Sequence, residues 1–149
     1  MISLNERLDQ AFKKAIKGQQ QTVLSTLRML KTAIRHKEVE VRHPLDEAEI
    51  LAVITSQAKQ RRDAIAEYKK ADRPDLANKE EEELNVLLSF LPAQLNPEEL
   101  EAEVVRIIAQ VGASTPKDLG KVMKTAMAEL AGRADGKVVQ EIVRRRLGA

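Results

Sequence analysis

Apolar residues in this 149-residue chain recur at steps of three and four almost from end to end, and no stretch alternates apolar with polar as a half-buried strand would. That period restricts the chain to helices that each bury one stripe. Leu4, Leu8, Ala11, Phe12 and Ala15 mark a first helix, capped by Ser3 and ended by Gly18. Val23, Leu27, Leu30 and Ile34 mark a second, running to about Val41 before Pro44. Asp46 and Glu49 have the spacing of a capping box that opens a third, with Ile50, Leu51, Ile54, Ala58, Ile65 and Tyr68 as its stripe. Pro74 suits the first turn of a fourth, which carries Leu76, Leu84, Leu87, Leu88 and Leu91 and is expected to end at Pro92.

The segment "FLPAQLNPEEL" then interrupts the pattern. Asn96 is placed to cap a fifth helix, with Pro97, Glu98 and Glu99 in its first turn. Its stripe is Leu100, Val104, Ile107, Ile108 and Val111, closed by Gly112. Thr115 and Pro116 open a sixth, closed by Gly132, and Val138, Val139, Ile142, Val143 and Leu147 form a seventh. The fold class expected is all-α: an N-terminal four-helix bundle over residues 1–94 followed by a C-terminal three-helix bundle over residues 95–149.

Composition excludes several functions. The chain has no cysteine, so it has no disulfide framework and no thiolate metal site. Its start is charged throughout, unlike a secretory signal, and no apolar run approaches the ~18 residues of a membrane span. A soluble, cytoplasmic protein with no membrane partner is the expectation. The net charge of +2 conceals an asymmetry: +5 over residues 1–44, −7 over residues 45–111 and +4 over residues 112–149. Such a layout fits a polyanion partner at one or both ends, or basic parts packed on an acidic one.

Catalytic motifs are missing. His36 and His43 stand seven apart without the three or four convergent ligands that zinc needs, so no metal is expected. "GASTPKDLGK" lacks the spacing of a phosphate-binding loop, and no nucleophile elbow occurs. No catalytic residue and no cofactor is expected. The run Glu80–Glu83 sweeps around its helix, so at least one carboxylate turns inward and needs a cation; Arg61 and Arg62 are the expected partners, in a structural ion pair.

Basic residues gather near the C-terminus. Lys117, Lys121 and Lys124 follow at steps of four and three, opposite the apolar stripe of the sixth helix. Lys137 and Arg144 share an outward face of the seventh, flanked by Arg145, while Arg133 and Lys137 bracket its opening turn. Arg146 falls near the apolar stripe and is expected to wrap over the helix end. These cations suit a phosphate-contacting surface, but by charge alone an ordinary solvated surface with arginines complementing the last helix turn is the favoured reading. Phe12, Tyr68 and Phe90 are the chain's aromatics, and none lies in this part. Stacking on splayed bases is therefore unavailable, and any nucleic acid bound here would be read by shape and backbone, as a folded RNA.

The pieces "RMLKTAI", "SFLPAQL", "DLGKVM" and "GRADGKVV", in order along essentially the whole chain, resemble the YqeY family. The C-terminal part is similar to the tail domain of the B subunit of the tRNA-dependent amidotransferase. The resemblance implies the same four-plus-three helical arrangement and a tRNA-gripping role for the tail. It places Lys121, Arg133 and Lys137 in the matching motifs, with Lys117, Lys124, Arg144 and Arg145 added by helical geometry. The family label, carbon–nitrogen ligase with glutamine as amido-N-donor, follows from the shared tail, and no autonomous activity is expected. The implied partners are tRNA and amidotransferase subunits. The function expected is a non-catalytic tRNA-associated module, with an accessory factor or adaptor for the amidotransferase complex as the alternative.

Overall fold

A computed structural model describes residues 2–148, and among them the regular structure is helical throughout. Seven α-helices follow in order: α1 Leu4–Lys17, α2 Gln21–Val41, α3 Glu47–Lys70, α4 Pro74–Leu88, α5 Pro97–Val111, α6 Leu119–Glu129 and α7 Gly136–Leu147. A short 3-10 turn, Pro116–Asp118, precedes α6. The chain forms two compact units, Met1–Leu91 and Pro92–Ala149.

Caps place the helix starts where local chemistry demands. Ser3 and Glu6 close a capping box on α1, and Asp46 and Glu49 close another on α3. Each box satisfies two of the amide groups a helix start leaves unpaired. Asn96 accepts from Glu99 N at 2.8 Å to start α5, and Gly112 ends it at φ 69°, in the left-handed region that glycine enters without a Cβ penalty.

Three boundaries differ from expectation. α4 stops at Leu88, three residues before Leu91. Phe90 N and Leu91 N reach back only three residues, to Leu87 O and Leu88 O. Pro92 explains this: its ring disfavours helical geometry at Leu91, and the chain tightens before it. Residues 116–118 coil as a 3-10 turn because Asp118 accepts from both Ser114 N and Thr115 N, which pulls the entry tighter than an α-turn. α6 ends at Glu129, and Gly132, at φ 75°, sits beyond the helix in the turn to α7.

In the N-terminal unit, α1 packs on α2 and α3, α2 on α3 and α4, and α3 with α4 makes the most extensive pair. The core is built from Leu8, Leu27, Leu30, Ile54, Leu84 and Leu87, with Phe90 at its edge. The acidic run meets this core through one guanidinium. Arg61 Nη1 lies 2.9 Å from Glu80 Oε2 and 2.5 Å from Glu83 Oε2, and Glu83 is buried. Met29 Sδ accepts from Arg61 Nη2 at 3.2 Å. Arg62, the other cation expected there, is exposed and takes no part, since one residue along α3 turns the side chain by ~100°.

In the C-terminal unit, α5, α6 and α7 each contact the other two around Val104, Ile107, Val122, Ala126, Val139 and Val143. All six are fully buried, and each such side chain contributes roughly 1.5–3 kcal/mol, the alanine less.

Removing one partner of a buried charge cluster leaves the others uncompensated. Arg61→Ala is expected to lower the unfolding free energy by about 3–5 kcal/mol. Urea unfolding followed by circular dichroism measures it, and a loss under about 1 kcal/mol would contradict the buried clasp.

Candidate nucleic-acid interface

Carboxylates decide which cations of the C-terminal unit are free. Between α5 and α6, Arg106 Nη2 lies 2.7 Å from Glu103 Oε2 and 2.6 Å from Glu129 Oε2, and its Nη1 donates to Gln110 at 2.9 Å. The Arg106 hydrogen bond holds the Glu129 carboxyl below its ordinary pKa. Between α5 and α7, Glu101 accepts from Arg145 and, at 3.1 Å, from Arg146 Nε. Those two donors, Arg145 foremost, likewise hold Glu101 below the usual carboxylate range.

The α6–α7 seam is different. Val122 and Ala126 mark the inner side of α6. Glu129, paired to α5, lies on one flank of that side. Met127 lies on the other, its Cε 3.4 Å from where a Cβ on Gly136 of α7 would stand. At ~100° per residue, Lys121 and Lys124 point outward between these flanks, with Lys124 nearer α7. On α7, Arg145 marks the α5 side and Gly136 the α6 side; Lys137 and Arg144, ~20° apart, fall midway between them, on the outward face. The 3-10 turn that carries Lys117 touches both helices. Lys117, Lys121, Lys124, Lys137 and Arg144 are exposed, and none forms an ion pair among the described residues.

The nearby acids are partly committed to the backbone. Asp118 accepts from Ser114 N and Thr115 N, which pull its pKa down, with the Lys121 charge adding to this. Asp135 caps α7 through Lys137 N at 3.0 Å. Glu141, exposed between Lys137 and Arg144 on the surface of α7, went unnoticed in the reading by charge and subtracts one charge from the seam.

Two expected site residues stand differently. Arg145 turns to Glu101, a pairing that helical angle cannot reveal because it depends on the opposing helix. Arg133 is a structural clasp: its Nε donates to Ala93 O at 3.2 Å and its carbonyl accepts from Leu95 N at 3.0 Å. Gln94 Nε2 completes the clasp by donating to Gly132 O at 2.6 Å. "LPAQL" and "GRADG" are therefore two halves of one contact, and Gln94, missed from the sequence, is its centre. Arg146 also lies on Glu101 instead of wrapping the helix end.

Among the described residues no three of His, Cys, Asp and Glu gather to hold a metal ion, and no helix is long and apolar enough to cross a membrane. His43 Nδ1 lies 2.9 Å from Pro44 O and its Nε2 3.7 Å from Glu49.

An all-helical chain of two units, the second with two ion-paired seams and one lined by free cations, is what these features define. The family model described as "Yqey-like protein" matches residues 5–147, and the chain belongs to that family. Among curated proteins it is similar to "Altered inheritance of mitochondria protein 41, mitochondrial" of Kluyveromyces lactis, 33% identical over 112 residues, covering 73% of this chain and 60% of the relative. The protein of the same name from Lachancea thermotolerans is 28% identical over 141 residues, covering 89% and 75%. That from Vanderwaltozyma polyspora is 28% identical over 104 residues, covering 68% and 56%. The chain thus spans about 60% of the first of these relatives. Their names correct the expected cytoplasmic address, since they are mitochondrial proteins.

Glu101 gives this arrangement a pH signature. Its folded pKa lies below the unfolded value, so its contribution is complete at neutral pH and is lost as pH falls through the ordinary carboxylate range and then through the lowered folded value. Melting of Glu101→Gln should therefore begin lower at neutral pH and depend less on acidification than wild type. Parallel pH–melting curves for the two proteins would count against the pairing.

Proposed function

We propose that this chain is a non-catalytic tRNA-binding or tRNA-associated module that grips the backbone of folded RNA at the α6–α7 seam. One observation carries the reading: the cations flanking α5 are ion-paired, whereas those on the outward faces of α6 and α7 form no ion pair among the described residues. Phosphate groups are the partners that unpaired lysines and an arginine on a convex helical surface suit, as point charges and a bidentate donor. The finer architecture proposed is a four-helix bundle followed by a three-helix bundle, with the domain boundary inside "LPAQL".

Lys121 and Lys137 keep the roles that the family's motifs suggest. Lys117, Lys124 and Arg144 join them by position. Arg133 acts through the clasp that fixes the turn before α7. Family membership also supports the second reading, an accessory factor or adaptor for a tRNA-dependent amidotransferase complex. Incubation with glutamine, ATP and glutamyl-tRNA separates an enzyme from both readings: glutaminyl-tRNA formed by the chain alone would replace them.

Titration of the full chain with tRNA by fluorescence anisotropy at several salt concentrations tests the main reading. Binding should weaken steeply with salt. Lys121→Gln, Lys124→Gln and Arg144→Gln together should weaken it and flatten the salt slope by about one for each phosphate no longer held. Equal affinity for an unrelated acidic polymer, or affinity unchanged by salt, would contradict it.

Glu101→Gln makes the opposite prediction. It releases Arg145 and Arg146, so RNA binding should tighten and the salt slope steepen in the same titration.

A further inference from the structure

The charges of the N-terminal unit are also unevenly matched. Residues 2–44 contain four carboxylates, and each is engaged. Glu6 accepts from Ser3 N at 3.3 Å, Asp9 holds Lys31 Nζ at 3.1 Å, Glu38 accepts from Leu45 N at 3.0 Å, and Glu40 lies 3.3 Å from Lys37 Nζ. Arg7 donates to Ser89 O and lies 5.7 Å from the Phe90 ring centroid. Lys13, Lys14, Lys17, Arg28 and Arg35 are exposed and have no ion-pair partner among the described residues.

Four of these stand on the outer side of the α1–α2 pair; Lys14, ~160° around α1 from Phe12, lies on the far flank. Lys31, bound to Asp9 and 4.2 Å from the Phe12 ring centroid, fastens the α1-facing flank of α2. Arg28 and Arg35 stand on either side of Lys31 along that flank, ~20° apart around the helix and ~10 Å apart along it. On α1, Lys13 and Lys17 are one turn apart, ~40° in angle, on its outward face. The exposed side chains of Gln21, Ser25 and Thr32 fall within ~80° of the two arginines on one side; Glu38 falls within ~80° on the other and accepts from Leu45 N at 3.0 Å. Cations interleaved with neutral hydrogen-bonding groups suit a ribose-phosphate chain, which offers phosphate oxygens and hydroxyls in alternation.

We propose that this α1–α2 face is a second RNA-backbone contact surface, separate from the α6–α7 seam. The proposal rests on the reading that the chain's partner is folded RNA, and it adds a site on a different unit. Anionic lipid is the less suitable occupant. A membrane-seated helix carries an apolar face between its cations, whereas Ile16 is the one large exposed apolar side chain of α1, and Met29 lies ~100° around α2 from Arg28.

Full-length protein with Lys13→Gln, Lys17→Gln, Arg28→Gln and Arg35→Gln is compared with wild type and with the Lys121→Gln, Lys124→Gln, Arg144→Gln protein. Each is titrated with tRNA at several salt concentrations and with vesicles containing phosphatidylglycerol, after its melting curve is recorded. A Lys13→Arg, Lys17→Arg protein serves as the charge-retaining control. The expected result is weaker tRNA binding by the α1–α2 variant, with a salt slope flatter by about two or more, native melting, and wild-type binding by the control. Wild-type affinity and slope in the α1–α2 variant, with weakening confined to the α6–α7 variant, overturns this inference and leaves the seam reading intact. Loss of vesicle binding without loss of tRNA binding overturns it in favour of lipid. Absence of tRNA binding by wild type overturns both.

Discussion

Opposite charges within hydrogen-bond reach neutralise each other, and the positions of three glutamates govern what the C-terminal unit shows to solvent. Glu101 and Glu103 stand at the two edges of α5 and Glu129 at the end of α6, and they gather Arg106, Arg145 and Arg146 into the fold. α5 is thus an acidic spine whose cations come from itself and its neighbours. Exposed pairs of this kind stabilise weakly, so their larger consequence is the charge pattern they leave. The cations of α6 and α7 that lie away from α5 stay unmatched.

The same logic separates the two units by the type of charge they bury. The N-terminal unit sinks Glu83 beneath Arg61, a costly arrangement that tolerates no missing partner. The C-terminal unit buries apolar side chains and keeps its ions at the rim. Its turn before α7 is held by hydrogen bonds to backbone carbonyls instead, through the clasp of Ala93, Gln94 and Leu95 on Gly132 and Arg133. Fixing that turn fixes the direction in which α7 leaves and so where Lys137 and Arg144 stand.

Much of this was legible in the sequence because it is local. Ser3, Asp46 and Asn96 cap within three residues of themselves, and Pro74 and Pro97 open helices by their fixed φ. The 3-10 turn was not, since Thr115, Pro116 and Asp118 form the same pattern ahead of either helix type. Nor was the early end of α4, where the effect of Pro92 reaches several residues back. The site divided along the same line. Helical period alone puts Lys121 with Lys124, and Lys137 with Arg144. The fates of Arg145 and Arg133 depend on Glu101 and Ala93, some forty residues away, and no spacing rule connects them.

Photocrosslinking of the full chain to tRNA, followed by mass spectrometry of the modified peptides, tests the central claim most directly. The account predicts that the C-terminal crosslinks fall on the peptides bearing Lys117, Lys121, Lys124, Lys137 and Arg144, and spare the surface where Arg106 meets Glu103 and Glu129. C-terminal crosslinks concentrated on that α5–α6 edge, with the α6–α7 seam unmodified, would contradict it.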